Sequence, residues 1–254
     1  MLDKITNLFF LTPAAGKRLI AKAVCQLPEV IQALPDHTIV VLGGSTNYYV
    51  AEELLAQIGQ EGIFKRRHFY RGVTVPPKGE KPSSIPFPGD VVIKRSVASQ
   101  GSTIFDVAPK LTKGDVIIKG ANAVDLQGMA GILIANEKIG TSAPILEATI
   151  GRRVSLILPV GLEKRVNHGI GNIATKLNAA SSTGLRMLPV TGTIVTELDA
   201  IASLSGAEAE LVAAGGVGGA EGGYWISVTG TQEQVACASS IIKPLMAEIP
   251  FSLF

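Results

Sequence analysis

Two glycines and two hydroxyl residues, Gly43-Gly44-Ser45-Thr46, stand between an apolar run and an amphipathic one. At a strand-to-helix turn, that composition leaves backbone N–H groups and hydroxyls at the positive end of a helix, a setting suited to phosphate or carboxylate. Gly43 and Gly44 are expected to adopt positive φ and admit a ligand close to the backbone, while Ser45 or Thr46 caps the helix. A well-capped βα turn with no ligand would carry the same residues, so the turn alone does not define a site.

Three further segments carry matching chemistry: Lys119-Gly120-Ala121-Asn122-Ala123-Val124-Asp125, Lys138-Ile139-Gly140-Thr141-Ser142 and Pro159-Val160-Gly161-Leu162-Glu163-Lys164. Open α/β sheets bind ligands outside the carboxyl ends of their strands, where such loops gather. The ligand-binding candidates are Gly43, Gly44, Ser45, Thr46, Lys119, Gly120, Asn122, Gly140, Thr141 and Lys164. Asp125 or Glu147 is the candidate proton carrier and Lys119 or Lys138 the candidate electrophile, which makes Asp125, Glu147 and Lys138 the catalytic set. Each has an ordinary alternative. Aspartate favours turns, a lysine at a loop edge is commonplace, and a glutamate on an amphipathic helix is usually solvated or ion-paired.

The elements that would position these residues alternate. Thr12-Pro13 opens a helix that Pro28 limits. A strand follows at 38–42, a helix at 47–58, an extended segment at 64–75 and a loop at 78–89. Strands are expected at 90–94, 115–119 and 154–160 and helices at 103–111 and 142–150, with a hairpin-like stretch through Ile134. Strands alternating with helices imply an α/β fold, a Rossmann-like parallel sheet with right-handed crossovers, over residues 1–166. Residues 167–254 read differently, with strands at 186–190, 208–214 and 224–229 and helices at 195–204 and 232–247. That order suggests a smaller C-terminal α+β domain of ferredoxin-like type.

The chain of 254 residues is 46% hydrophobic, enough for a sizeable core in one large or two modest domains. A net charge of +2 gives no global field toward nucleic acid. Cys25 and Cys237 lie far apart without metal-type spacing, as expected of reduced thiols in a cytoplasmic protein. His37, His68 and His168 show no ligand spacing with acidic residues, so neither metal nor cofactor is expected. No apolar run is long enough to span a bilayer, and the N-terminal one is too short for a signal peptide. The expected partner is a small anionic metabolite rather than nucleic acid or a membrane.

Two segments stand outside this pattern. Lys65-Arg66-Arg67-His68-Phe69-Tyr70-Arg71 interleaves charge with aromatics, and as a strand it would place Arg67, Phe69 and Arg71 on one face. One basic strand in a nearly neutral chain suits a supplementary anion contact or a homo-oligomer surface better than nucleic acid. Residues 213–225 hold a glycine-rich tip between two strand-like runs: either a plain hairpin turn or a flap that presents Glu221 to a ligand.

The four loops, in order, resemble the superfamily uniting ribose-5-phosphate isomerase type A, glucosamine-6-phosphate deaminase and the coenzyme A transferases, which also holds methylthioribose-1-phosphate isomerase. Gly43-Gly44-Ser45-Thr46 is similar to the Gly-Thr-Gly-Ser-Thr phosphate loop of the ribose-phosphate isomerase. Gly120-Ala121-Asn122-Ala123-Val124-Asp125 resembles its Gly-Ala-Asp-Glu-Val/Ile-Asp element, and Lys138-Ile139-Gly140-Thr141 the Asn-Lys-Ile-Gly-Thr element of the methylthioribose-phosphate branch. The resemblance spans roughly residues 36–166 and implies a parallel sheet, a phosphate held by Ser45 and Thr46, and sugar-phosphate isomerisation. Two departures bear on activity. Asn122 replaces a catalytic aspartate, and an amide is neither acid nor base near neutral pH. The glutamate of the isomerase's Arg-Glu-Lys run has Glu147 as its nearest counterpart, displaced by a turn or less, and no transferase glutamate is evident. The leading expectation is binding, with or without isomerisation, of a small phosphorylated or carboxylated metabolite. The alternatives are a non-catalytic sensor or assembly module and a coenzyme A transferase-like enzyme.

Overall fold

The computed structural model describes residues 4–72, 74 and 86–251. β1 (Ile5–Leu11) leads into α1 (Pro13–Val24). Thr12 caps that helix by accepting from the Ala15 N–H at 3.2 Å, and proline is tolerated at the first position because its missing N–H would have no helical partner. There follow α2 (Pro28–Asp36), β2 (Thr38–Val41), α3 (Ser45–Gln57), the hairpin of β3 (Val91–Lys94) and β4 (Val97–Gln100), α4 (Ile104–Val107) and β5 (Val116–Ile118). Then come β6 (Ala123–Val124), β7 (Ala130–Ile134), α5 (Ser142–Leu146), a π-helical turn (Glu147–Gly151), β8 (Ser155–Pro159) and α6 (Ile170–Leu177). The remainder is β9 (Arg186–Val190), β10 (Thr193–Val195), α7 (Glu197–Ser205), β11 (Glu208–Gly215), β12 (Gly223–Gly230) and α8 (Gln232–Leu245).

A six-stranded sheet, ordered β10-β8-β5-β2-β3-β4, organises this mixed α/β fold. β10, β8, β5 and β2 run parallel, whereas β3 is antiparallel to both its neighbours. Arg95 and Ser96, both at positive φ (49° and 58°), close the tight β3–β4 hairpin, whose twist matches its strands. Side-chain alternation divides the core. Ile39, Val41, Val116, Ile118 and Ile157 cluster with residues of α1, α3, α7 and α8; Val40, Leu42, Ile117, Leu156 and Leu158 cluster with residues of α4 and α5.

The antiparallel layer draws on both ends of the chain. β1, β12 and β11 form one three-stranded sheet in that order, and β9 pairs instead with β7 in a second small sheet with β6. The strand at 186–190 thus lies outside the layer expected to contain it, and β1, for which no strand was expected, supplies an edge. Phe9 and Leu11 of β1 share a core with Tyr224, Ile226 and Val228 of β12. Local sequence does not encode such a partner, because strand propensity is largely a property of the neighbours a strand finds.

Within the extended segment expected at 64–75, the described residues 64–72 form no strand. Phe69 is fully buried edge-on to Phe64, their ring centroids 5.0 Å apart, and His68 turns the chain at φ 59°. Residues 73 and 75–85, including much of the proline-rich stretch at 78–89, lie outside the described residues. Among the described residues, no helix is long and apolar enough to cross a membrane.

Candidate functional site

A cleft of about 660 Å³ opens beyond the carboxyl ends of β2, β5 and β8. Its walls hold Gly43, Gly44, Ser45, Thr46 and Asn47 from the β2–α3 turn, Lys119, Gly120 and Asn122 after β5, Gly140 and Thr141 before α5, and Glu163 and Lys164 after β8. Arg71 and the β7 residues Ile132, Leu133 and Ile134 also line it. Asp125, Lys138 and Glu147 do not line it.

The start of α3 faces this space. Gly44 is its cap residue and no side chain caps it, so Ser45 and Thr46 occupy the first helical positions rather than the cap. The first helical hydrogen bond runs from the Tyr48 N–H to the Gly44 carbonyl at 2.8 Å, and a helix leaves its earlier N–H groups without internal partners. Neither glycine has the positive φ expected; Gly44, at 170°, is simply extended. Gly43 is needed for another reason: a Cβ there would run into the Phe87 ring. Its N–H donates to Asp90 Oδ1 at 3.0 Å, and the other oxygen of that fully buried carboxylate accepts from the Ile104 N–H at 2.7 Å.

Asn47, only 1% exposed, lies one turn in. Its amide NH₂ donates to the Leu42 and Ile118 carbonyls at 2.8 and 3.2 Å, which fixes the orientation of the group. Its Oδ1 has no partner among the described residues. A buried acceptor left unpaired costs about 1–3 kcal/mol, and a ligand hydroxyl or water in the cleft would relieve that.

The cations come from three places. Lys164 Nζ donates to Thr46 Oγ1 at 3.3 Å, and burial lowers its pKa, opposed by the charge of Glu163. Lys119 Nζ donates to Thr141 Oγ1 at 3.3 Å. Burial pulls its pKa down to about 8; Asp90 opposes the shift from a distance and Arg71 adds to it. The Arg71 guanidinium lies over the Phe87 ring, 4.1 Å from its centroid. Among the described residues, no carboxylate oxygen lies within 4.0 Å of the charged nitrogens of Lys119 or Arg71.

Asp125 is committed elsewhere. It is 4% exposed, and its oxygens accept from the backbone N–H groups of Gln127 (3.0 Å), Met129 (2.9 Å) and Ile170 (2.8 Å). Burial works against its ionisation, but these bonds prevail and hold the carboxyl below its ordinary pKa. It closes the β6–β7 turn and anchors α6. Glu147 is exposed and paired with Arg152 at 2.8 Å, and the Lys138 side chain is exposed. Asn122 lines the cleft, yet its Oδ1 already accepts from the Leu133 N–H at 3.0 Å.

Among the described residues, the cleft wall carries one carboxylate, Glu163. Its Oε1 lies 3.6 Å from Lys17 Nζ and 4.0 Å from Lys164 Nζ, and the group folds back over Gly161, where a Cβ would collide with it. Behind it sits Glu197, fully buried, whose pKa rises to about 7 through burial and then the nearby charge of Glu163.

No family model matches this chain, and no curated protein does. A solved structure that matches is that of the tetrameric eIF2B-beta2-delta2 complex from C. thermophilum, at 14% identity and a TM-score of 0.38, covering 72% of this chain and 55% of that one. The chain therefore spans about half the length of the protein it resembles.

Glu163 stood in view within the Gly161-Leu162-Glu163-Lys164 loop, but nothing in its spacing separated it from an ordinary loop glutamate. Asn47 was hidden for a different reason. Its value as an acceptor arises only because two carbonyls from different strands occupy its NH₂ group.

Proposed function

We propose that this protein binds a small phosphorylated metabolite bearing a hydroxyl group next to its phosphate. The observation that carries this reading is the uncapped start of α3 beside the Lys164–Thr46 pair, with the unpartnered Asn47 oxygen one turn behind. Helix N–H groups and a lysine suit the phosphate, and the acceptor suits a hydroxyl. If the cleft also transforms its ligand, Glu163 is the group placed to move a proton, and isomerisation of a sugar phosphate is the natural reaction.

A non-catalytic ligand sensor is the second reading, favoured by the commitment of Asn122 and Asp125 to backbone N–H groups. The test is calorimetric titration with inorganic phosphate and ribose 5-phosphate, followed by a turnover assay. Binding to wild type but not to K164M supports the site, and absence of binding to either protein refutes it. Turnover at a typical enzymic rate of about 1–1000 s⁻¹, abolished by E163Q, selects the enzyme.

A further inference from the structure

The two lysine–threonine pairs of the cleft lie on opposite faces of the central sheet. Thr46 belongs to α3, which packs on the face of Val41, Ile118 and Ile157. Lys119 follows Ile118 at the end of β5, so alternation returns its side chain to the face of Ile117, and it meets Thr141 at the start of α5 on that side. Lys164 serves the first face through Thr46. The cleft edge therefore presents one cation–hydroxyl pair above the sheet and another below it.

The pairs differ in how they are neutralised. Lys164 has Glu163 at 4.0 Å. Lys119 has no carboxylate within 4.0 Å among the described residues. A cation in a cleft wall with no carboxylate beside it is costly to desolvate unless an anion joins it.

We propose that Lys119 and Thr141 form a second anion subsite, and that the ligand carries an anionic group at each end, one for each face of the sheet. This rests on the reading of the α3 terminus as the first subsite.

Propylphosphonate and a series of α,ω-alkane diphosphonates with three to six carbons serve as probes in calorimetric titrations. One spacer length is expected to bind wild type at least tenfold more tightly than propylphosphonate. K119M should remove that advantage while weakening propylphosphonate far less than the diphosphonate, T141V should diminish the advantage, and K164M should weaken both classes. A diphosphonate advantage no greater than the statistical factor of two overturns the second subsite while leaving the first intact. So does an equal loss of both probes in K119M, which would place Lys119 at the first anion. Failure of every phosphonate to bind wild type overturns both readings.

Discussion

The Tyr224 hydroxyl donates to Glu197 Oε1 at 2.5 Å, while the Leu162 N–H donates to Oε2 at 2.9 Å. A strand of the antiparallel layer, a helix and a loop at the cleft thus meet around one fully buried carboxylate. Glu163, adjacent to Leu162, lines the cleft, so part of its wall rests on a group that titrates near neutrality.

Glu197 should make stability fall as pH rises. Its folded pKa of about 7 lies above its ordinary 4.5. Below the lower value both states are protonated; between the two, the unfolded chain ionises and the folded one does not. Stability should therefore decline across that window by up to about 1.4 kcal/mol per pH unit and level off above it. In E197Q the amide can donate to Tyr224 and accept from Leu162, and it cannot ionise. Urea denaturation from pH 5 to 8 should show a slope in wild type that E197Q lacks; identical slopes would refute the assignment.

Gly16→Ala tests the packing around the same pair. An alanine within α1 would ordinarily gain up to roughly 0.5–1 kcal/mol over glycine. Here its Cβ would collide with the Tyr224 hydroxyl and the Glu197 carboxylate, both buried. Overpacking of about 1–3 kcal/mol should win, giving a net loss in chemical denaturation, and Y224F should recover part of it. A stabilised G16A would show the contact to be loose.

Lys119 should weaken the fold at neutral pH. With its pKa lowered to about 8, the folded state resists the charge that the unfolded state carries freely. The penalty is complete below about pH 8 and fades as pH approaches the ordinary 10.5, because the folded lysine is then already neutral. K119M is expected to exceed wild type at pH 7 by on the order of 1 kcal/mol, allowing for partial solvent access, with the gap closing above pH 8. Equal stability at pH 7 would mean that solvent already screens the ammonium.

Asp125→Ala should act on stability rather than on binding. It would strand the N–H groups of Gln127, Met129 and Ile170, and the expected loss is on the order of 3 kcal/mol. Inorganic phosphate should bind the folded variant as it binds wild type. Preserved stability with lost binding would return Asp125 to the site.

The order strand, Gly43-Gly44-Ser45-Thr46, helix was legible because it is local: a buried run, a turn and an amphipathic run adjoin in sequence. The reason for Gly43 was not, since the Phe87 ring that excludes a side chain there comes from another segment. Asp125 illustrates the limit for sites. Its residue type fits both a proton carrier and a turn anchor, and only the arrival of the Ile170 N–H from α6 decides between them. None of the described residues of the glycine-rich tip at 213–225 lines the cleft, and Glu221 accepts from the Gly219 N–H at 2.8 Å within the turn itself.

The pairing of β1 with β12 sets a schedule for synthesis. Leu11 faces Tyr224, about 210 residues further along the chain. At a ribosomal rate of about 5–20 residues per second, β1 waits roughly 10–40 s for β12, its one strand neighbour among the described residues. During that time Phe9 and Leu11 have no β12 side chains to cover them, and the strand's hydrogen-bonding edge stays open. The central sheet through β8 can assemble meanwhile, so the nascent protein would hold the walls of its cleft in place before its first strand is paired. A chaperone that recognises extended apolar segments would find a target in β1 for as long as β12 is missing.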